Sequence, residues 1–213
     1  EVLRWVAEIR ETQRPFHWGL EFPEVFWDER ADPLAGDAVN RGAWVDAFVG
    51  NPPFAGKNAI SHACGTAYLE WLMGVYPEVK GKPNTDICAY FFRCAHHWLG
   101  VHGTIGFVAT NTIAQGDTRE MSLKALVHAG GTIYDANPSV TWPGAAAVVV
   151  STVHLAFGTV IEATRNVRLN GLLATVINSR LRPRPERSDP VRLDAMQDRS
   201  FLGGKLVGIG LAL

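Results

Sequence analysis

The sequence predicts an α/β fold built on a mostly parallel sheet with helices on both of its faces. Short apolar, β-branched runs alternate along the chain with segments whose apolar residues recur every three or four positions. Strands that alternate with helices of this length are typical of parallel sheets with helical connections. At 213 residues, of which 47% are hydrophobic and 19% charged, the chain is long enough to bury a sizeable core.

The first fifty residues predict a helix, a strand, a loop and a second strand. Apolar residues at helical spacing predict a helix over residues 1–14. Alternation of bulky and small or polar side chains in residues 16–26 favours a strand, and residues 28–42 have the composition of a loop. The second strand covers residues 44–50. It must end at Pro52 and Pro53, because proline cannot donate to a sheet ladder.

The middle of the chain predicts two helices. Small and polar residues from 55 to 65 predict a mobile loop, and residues 66–76 predict a helix. A further helix is expected over residues 86–99, with Thr85 as its N-cap. The apolar face of that helix is formed by Ile87, Tyr90, Phe91, Cys94, Ala95 and Trp98.

The remaining elements continue the alternation. Residues 105–109 predict a buried strand that delivers Thr110, Asn111 and Thr112 at its carboxyl end, and residues 117–129 predict a helix ended by two glycines. A short strand over 132–134 and a long β-branched strand over 145–157 follow, close enough in sequence to pair antiparallel at one edge. Between them, the loop 138–144 carries Trp142.

Composition excludes several classes of protein. No uninterrupted apolar run approaches the roughly 20 residues that span a membrane. Three cysteines without paired metal spacing favour a reduced intracellular protein, and no metal site is expected. A formal charge of −1 gives no global signal for nucleic acid. The four arginines within residues 180–187 form a local basic run, which fits either contact with DNA phosphates or a solvated linker.

The stretch Asn51-Pro52-Pro53-Phe54 is the strongest candidate for a functional site. Its two prolines make a rigid loop after a strand, and ligands bind at the carboxyl ends of strands in open α/β sheets. An amide and an aromatic ring displayed there suit a planar polar group. The alternative interpretation is an ordinary turn in which Phe54 anchors the core.

Four blocks of the sequence, in this order, resemble the amino-methylating DNA methyltransferases, in particular the adenine-specific enzymes of restriction-modification systems. The blocks are residues 16–26, 49–54, 85–92 and 109–120. The resemblance covers residues 1–158 well. It implies a Rossmann-like methyltransferase fold with S-adenosylmethionine as the cofactor. The implied reaction is transfer of a methyl group to the N6 amine of adenine in double-stranded DNA, by a cytoplasmic bacterial or archaeal enzyme.

The resemblance also implies roles for individual residues. Asn51 and Pro52 would polarise the amine of a flipped base, in the loop completed by Pro53. Phe54 would stack on that base, with Trp142 as a second aromatic. Phe91 and Asp86 would contact the cofactor. A core position for Phe91 and a solvent-shielding loop position for Trp142 are the alternatives.

The family's glycine-rich cofactor loop has no counterpart between Glu1 and Gly50. The chain therefore predicts a partial catalytic subdomain over residues 1–178, with a linker and the start of a target-recognition region over 179–213. Both ends suggest a fragment of a longer protein. The resemblance is compatible with a parent that carries a target-recognition domain and a fused or associated endonuclease. N4-cytosine methylation, methylation of a protein or RNA amide or amine, and a non-catalytic DNA-binding remnant stay open as alternatives.

Overall fold

A computed structural model describes the sheet domain that carries the Asn51 loop. The described residues are 4, 7, 8, 11, 16, 18–22, 25, 45–77, 82, 84–99, 102–142, 148–163 and 166–188. The strands are β1 (Ala47–Gly50), β2 (Gly103–Thr110), β3 (Thr132–Thr141), β4 (Val149–Phe157), β5 (Arg168–Leu169) and β6 (Leu172–Leu173). They form one sheet in the order β1-β2-β4-β3-β5-β6.

Most strands of this sheet share one direction. β1 pairs parallel with β2, and β3 pairs parallel with β5. β4 pairs antiparallel with both β2 and β3, and β6 pairs antiparallel with β5. Four of the six described strands therefore point the same way, which confirms the mostly parallel α/β sheet. The expected antiparallel pairing of β3 and β4 is present, but its expected place at one edge of the sheet was wrong, because β4 lies between β2 and β3.

The helices are α1 (Trp18–Glu21), α2 (Lys57–Cys64), α3 (Thr66–Val75), α4 (Ile87–Leu99), α5 (Gly116–Arg119), α6 (Ala125–His128) and α7 (Val160–Ala163). A 3-10 turn (Asn111–Ala114) precedes α5, and a π-helical segment (Glu120–Lys124) joins α5 to α6. Residues 116–128 thus form one rod with a π-bulge in its middle. The helix predicted over 117–129 is confirmed within a residue at each end.

One face of the sheet holds the main core. Along β2 the buried residues Ile105, Phe107 and Ala109 alternate with half-buried ones, as expected for a strand with one face in a core. The Phe107 ring meets the Phe92 ring of α4 edge to face at 5.0 Å. Gly103, at φ 130°, begins the strand, because a Cβ there would lie 2.6 Å from the Asp46 carbonyl oxygen.

A second, smaller core joins α2 and α3 to the outer side of α4. Its buried members are Ile60, Leu69, Leu72, Ala89, Tyr90 and Met121. The mobile loop expected over residues 55–65 was wrong, because residues 57–64 form α2. Ile60, only 2% exposed, anchors α2 in this core, so tertiary burial outweighs a small and polar composition.

Other expectations differ from the structure at particular positions. The strand expected over 16–26 was wrong where it can be checked, since Trp18–Glu21 is helical. The Trp18 ring packs against the rings of Phe16 and Phe22 and against Phe48 of β1. β3 runs seven residues past the short strand expected to end at 134. It passes Pro138 through a register shift, with Ser139 at φ 61°. Residues 28–42 and 189–213 lie outside the described part.

The predicted domain boundary near residue 178 stays a prediction. Ile177 bridges to Ile133 of β3, and Leu181 is 4% exposed within the main core. Ile177 and Leu181 therefore pack on the sheet domain.

Candidate active site

The Asn51-Pro52-Pro53-Phe54 loop leaves the carboxyl end of β1. Gly50 pairs with Phe107 in the parallel ladder, so the loop emerges at the edge of the sheet where β2 also ends. Pro52 is buried, whereas Asn51 and Pro53 are exposed and Phe54 exposes 37% of its surface. The loop is therefore anchored at its first proline and presents an amide and an aromatic ring to solvent. The alternative of Phe54 as a core anchor does not fit this exposure.

Asp86 fixes the far end of that loop. Its Oδ1 accepts a hydrogen bond from the Ala55 backbone N–H at 3.2 Å and from the Cys88 N–H at 3.1 Å. The Ile87 N–H donates to the Ala55 carbonyl oxygen at 2.8 Å. Asp86 thus caps α4 and clamps the residue after Phe54, with one carboxylate oxygen.

The N-cap assigned to Thr85 was wrong. The Thr85 hydroxyl donates to the Lys82 carbonyl oxygen at 2.8 Å, away from the helix. Asp86 is the better cap because its carboxylate reaches both the first turn of α4 and the loop. Only 9% of Asp86 is exposed, so its carboxylate lies within the scaffold of the site.

The first turn of α5 supports Asp86 in turn. The Asp86 N–H donates to Thr118 Oγ1 at 3.0 Å, and the Asn84 N–H donates to Asp117 Oδ2 at 3.1 Å. The contact between Thr118 and Asp86 was not predicted, because 32 residues separate the two and no local pattern connects them. The available signal was that both residues lie in blocks that carry the family resemblance, Asp86 in residues 85–92 and Thr118 in residues 109–120.

The face that α4 presents differs from the expected one. The residues packed on the sheet are Cys88, Phe92, Ala95 and Leu99, while Ala89 and Tyr90 face the smaller core. Because α4 is buried on two sides, Phe91 and Cys94 lie on its exposed side. Phe91 exposes 42% of its surface, so the core alternative for Phe91 was wrong.

Trp142 lies at the same edge of the sheet as the Asn51 loop. It is half-buried directly after β3, where its backbone N–H donates to the Val148 carbonyl oxygen at 3.0 Å. β2 and β4 separate β3 from β1, which corresponds to roughly 14 Å across three strand spacings. Between the two positions, the Thr110 and Thr112 hydroxyls share a hydrogen bond of 2.7 Å. Asn51 and Trp142 therefore flank a polar strand end.

The titratable groups near the loop do not form a metal or thiol site. The three cysteines are free, and no group of His, Cys, Asp or Glu residues in the described part of the chain could hold a metal ion. Burial, followed by the nearby Asp86 charge, raises the pKa of Cys88 to about 12. The Cys88 thiol is therefore neutral and unreactive at physiological pH. Among the helices that the structure describes, none is long and apolar enough to cross a membrane.

Comparisons with known proteins place this geometry in context. Residues 24–167 match the family model described as "MmeI, DNA-methyltransferase domain". A solved structure, titled as a Type IIL restriction-modification enzyme MmeI in complex with DNA, aligns with a TM-score of 0.52 at 23% sequence identity. The alignment covers 66% of this chain and 20% of that one, so the chain spans about a fifth of the length of that enzyme. No curated protein matches the chain.

Proposed function

The chain belongs to the MmeI DNA-methyltransferase domain family, and from this premise we propose that it transfers a methyl group from S-adenosylmethionine to the N6 amine of adenine in double-stranded DNA. The observation that carries the proposal is the exposed Asn51 amide on a loop whose backbone is fixed at both ends, by buried Pro52 and by Asp86. The similarity to a restriction-modification enzyme further supports, as part of this proposal, a cytoplasmic enzyme of a prokaryotic cell.

The chemistry requires two acceptors aimed at one amine. The lone pair of an exocyclic base amine is delocalised into the ring, which makes the amine a poor nucleophile. The Asn51 side-chain oxygen and the Pro52 carbonyl oxygen would accept its two N–H groups and draw the nitrogen toward a tetrahedral geometry. A rigid loop suits this role, because acceptors that are already oriented need no reorganisation during the reaction.

The exposed aromatic rings would hold the base outside the duplex. A base that is stacked and paired inside a duplex cannot bring both N–H groups of its amine to the two acceptors, so the enzyme must flip it into a pocket and stack on it. Phe54 follows the acceptors directly and exposes 37% of its surface, which leaves a ring face available. Trp142 would close the opposite side of the pocket from the end of β3.

The exposed ring of Phe91 is more available for contact with the cofactor than the carboxylate of Asp86 is. Phe91 has 42% of its surface free for stacking on the cofactor's adenine. In contrast, Oδ1 of Asp86 already accepts two backbone N–H groups. When bound, S-adenosylmethionine would supply a methyl group made electrophilic by the adjacent sulfonium. Residues upstream of the described sheet would complete its site.

A labelling experiment tests the proposal. The protein at its full encoded length is incubated with methyl-labelled S-adenosylmethionine and duplex DNA, and the DNA is digested to nucleosides. We expect label in N6-methyldeoxyadenosine. Label in N4-methyldeoxycytidine would keep the mechanism and change the target base, since the same acceptors suit both amines.

The other outcomes contradict the proposal. Label on protein or RNA with none on DNA would assign the loop to another substrate. An absence of transfer to any of these, from a protein that still binds duplex DNA, would indicate a non-catalytic remnant. For the whole protein, the proposal also includes a target-recognition region and an endonuclease.

A further inference from the structure

Three exposed arginines lie on one loop that packs against the sheet domain. Residues 178–188, called the arginine loop below, carry Arg180, Arg182 and Arg187 on the surface. Within the described residues, none of the three has a carboxylate partner. Glu186, the one acidic residue of the loop, is bound by Arg119 at 3.1 Å. The outward surface of the loop is therefore positive.

Hydrogen bonds to Asn178 fix the first half of the arginine loop. Asn178 Oδ1 accepts the backbone N–H groups of Arg180 and Arg182 at 3.0 and 3.1 Å. Leu181, between these two arginines, has φ 51° and is 4% exposed. A leucine in the left-handed region is strained and persists only where its surroundings enforce it. The buried side chain enforces it here, and both neighbouring arginines face solvent.

A buried ionic network fixes the second half. Arg119 is 3% exposed, and it donates from Nε to Ser179 Oγ at 2.7 Å and from its terminal nitrogen to Glu186 Oε1 at 3.1 Å. Glu186 Oε2 accepts the Ser179 N–H at 2.7 Å. Pro183 and Pro185 restrict the backbone between these anchors. The loop is thus ordered along its length, unlike a solvated linker.

The same helical turn holds the arginine loop and the Asn51 loop. Arg119 binds the arginine loop, and the preceding residue, Thr118, accepts the N–H of Asp86, which clamps Ala55 after Phe54. A group bound by the arginine loop would therefore have a defined position relative to Asn51.

From these observations we infer that the arginine loop binds the phosphate backbone of duplex DNA through Arg180, Arg182 and Arg187. The inference rests on the proposed function for its choice of polyanion. The planar guanidinium donates in a fork that matches a phosphate. Because the loop backbone is ordered before binding, little conformational entropy is lost when phosphates are bound. These contacts set the position of the duplex and carry no sequence information.

Salt-dependent binding tests the inference. The protein at its full encoded length is titrated against a fluorescent duplex by anisotropy over a range of salt concentrations, for the wild type and for Arg180→Gln, Arg182→Gln, Arg187→Gln and the triple variant. Each phosphate contact contributes about 0.9 to the slope of log K against log salt. We expect each single change to reduce the slope by about 1, and the triple change by about 3, on duplexes of any sequence.

Arg168→Gln is the matched control. Arg168 is exposed on β5, and its guanidinium donates to the Gly171 carbonyl oxygen. The control removes the same charge outside the loop and should leave the slope unchanged. An unchanged slope in the single variants, or an equal loss in Arg168→Gln, would overturn the inference. Methylation of DNA by the wild type is measured separately. If the wild type methylates DNA but the arginine variants show unaltered slopes, only the DNA-binding role of the arginine loop is refuted, and the proposed function stands.

Discussion

Two loops of this domain are both rigid, and they are made rigid by different forces. The Asn51 loop is held by a buried proline and by backbone N–H groups that donate to one oxygen of Asp86. The arginine loop is held by a buried leucine and an ionic network around Arg119. The Asn51 loop is fixed by a hydrogen bond from its backbone to a single carboxylate, whereas the arginine loop combines backbone hydrogen bonds with an ion pair between its own Glu186 and the buried Arg119.

The comparison also shows where each loop can change without losing its shape. In the Asn51 loop the exposed side chains contribute little to the scaffold, so their replacement should change chemistry and leave stability intact. In the arginine loop the exposed arginines are equally free, while Arg119, Ser179 and Glu186 carry the structure. Function and folding should therefore separate cleanly in both loops.

The largest effect is expected from Asn51→Ala. Removal of one of the two acceptors for the amine should slow methyl transfer by about 10²- to 10³-fold, as for the loss of one oriented hydrogen bond at a transition state. The measurement is single-turnover transfer of label to duplex DNA. Because Asn51 is exposed, the unfolding midpoint should not move.

Two further variants sharpen that prediction. Asn51→Asp keeps an acceptor oxygen and should retain more activity than Asn51→Ala. Asn58→Ala changes an exposed asparagine on the neighbouring helix α2 and should transfer at the wild-type rate. A wild-type rate in Asn51→Ala would remove the amine-polarising role.

Arg119→Met should have the largest effect on stability. The change leaves the Glu186 carboxylate, whose side chain is 18% exposed, without its buried cation. We expect the free energy of unfolding to fall by about 2 to 3 kcal/mol, at or below the lower limit of about 3 to 5 kcal/mol for a broken buried pair, because water reaches Glu186. Urea denaturation followed by tryptophan fluorescence measures this.

Hydrogen exchange distinguishes the two loops in the same variant. Amides of residues 178–182 should exchange faster in Arg119→Met, while the Ala55 amide keeps its protection. Arg119→Lys keeps the charge, loses the fork geometry and should fall between wild type and Arg119→Met. Equal loss of protection in both loops would show that they form a single unit.

Replacement of Asp86 should have a smaller effect on stability. Asp86→Ala removes the N-cap of α4 and should cost about 1 to 2 kcal/mol. The Ala55 amide should lose its protection from hydrogen exchange, because its acceptor is gone. Asp86→Asn retains an oxygen at the same place and should keep both the cap and the protection.

Activity in the Asp86 variants then separates two roles. If Asp86 only fixes the loop, Asp86→Asn should transfer methyl groups nearly as fast as the wild type. A large rise in KM for S-adenosylmethionine in Asp86→Asn, with the Ala55 amide still protected, would assign the carboxylate charge to the cofactor instead.

The smallest effect on stability is expected when the pH is lowered through the pKa of Glu186. Burial raises the pKa of Glu186, but hydrogen bonds from Ser179 and Arg119 outweigh it and hold the pKa below its usual 4.5. Because the folded-state pKa is the lower one, the stabilising contribution is complete above about pH 4.5 and is lost as the pH falls through the folded-state value. Denaturation curves between pH 6 and 3 measure it. Glu186→Gln should show a shallower decline, and an identical decline would contradict the assignment.

Sequence alone determined the alternation of strands and helices and the position of the Asn51 loop, because periodicity and proline act locally. It also placed α3, α4 and the rod of residues 116–128 within one or two residues. It failed where burial decides, as in α2, where Ile60 enters a core that composition does not reveal. The strand predicted around Trp18 was wrong for the same reason, because the bulky residues that alternate there form an aromatic cluster and not one side of a strand.

Only the tertiary structure decided how the site is held together. Asp86 meets Ala55 across 31 residues, and Arg119 meets Ser179 across 60. Contacts at such separations follow from how α4 and α5 pack on the sheet, and no local pattern in the chain encodes them. Residues that bear chemistry lie in short motifs that can be read directly. The residues that orient them are brought together by folding, because hydrogen bonds form between neighbours in space.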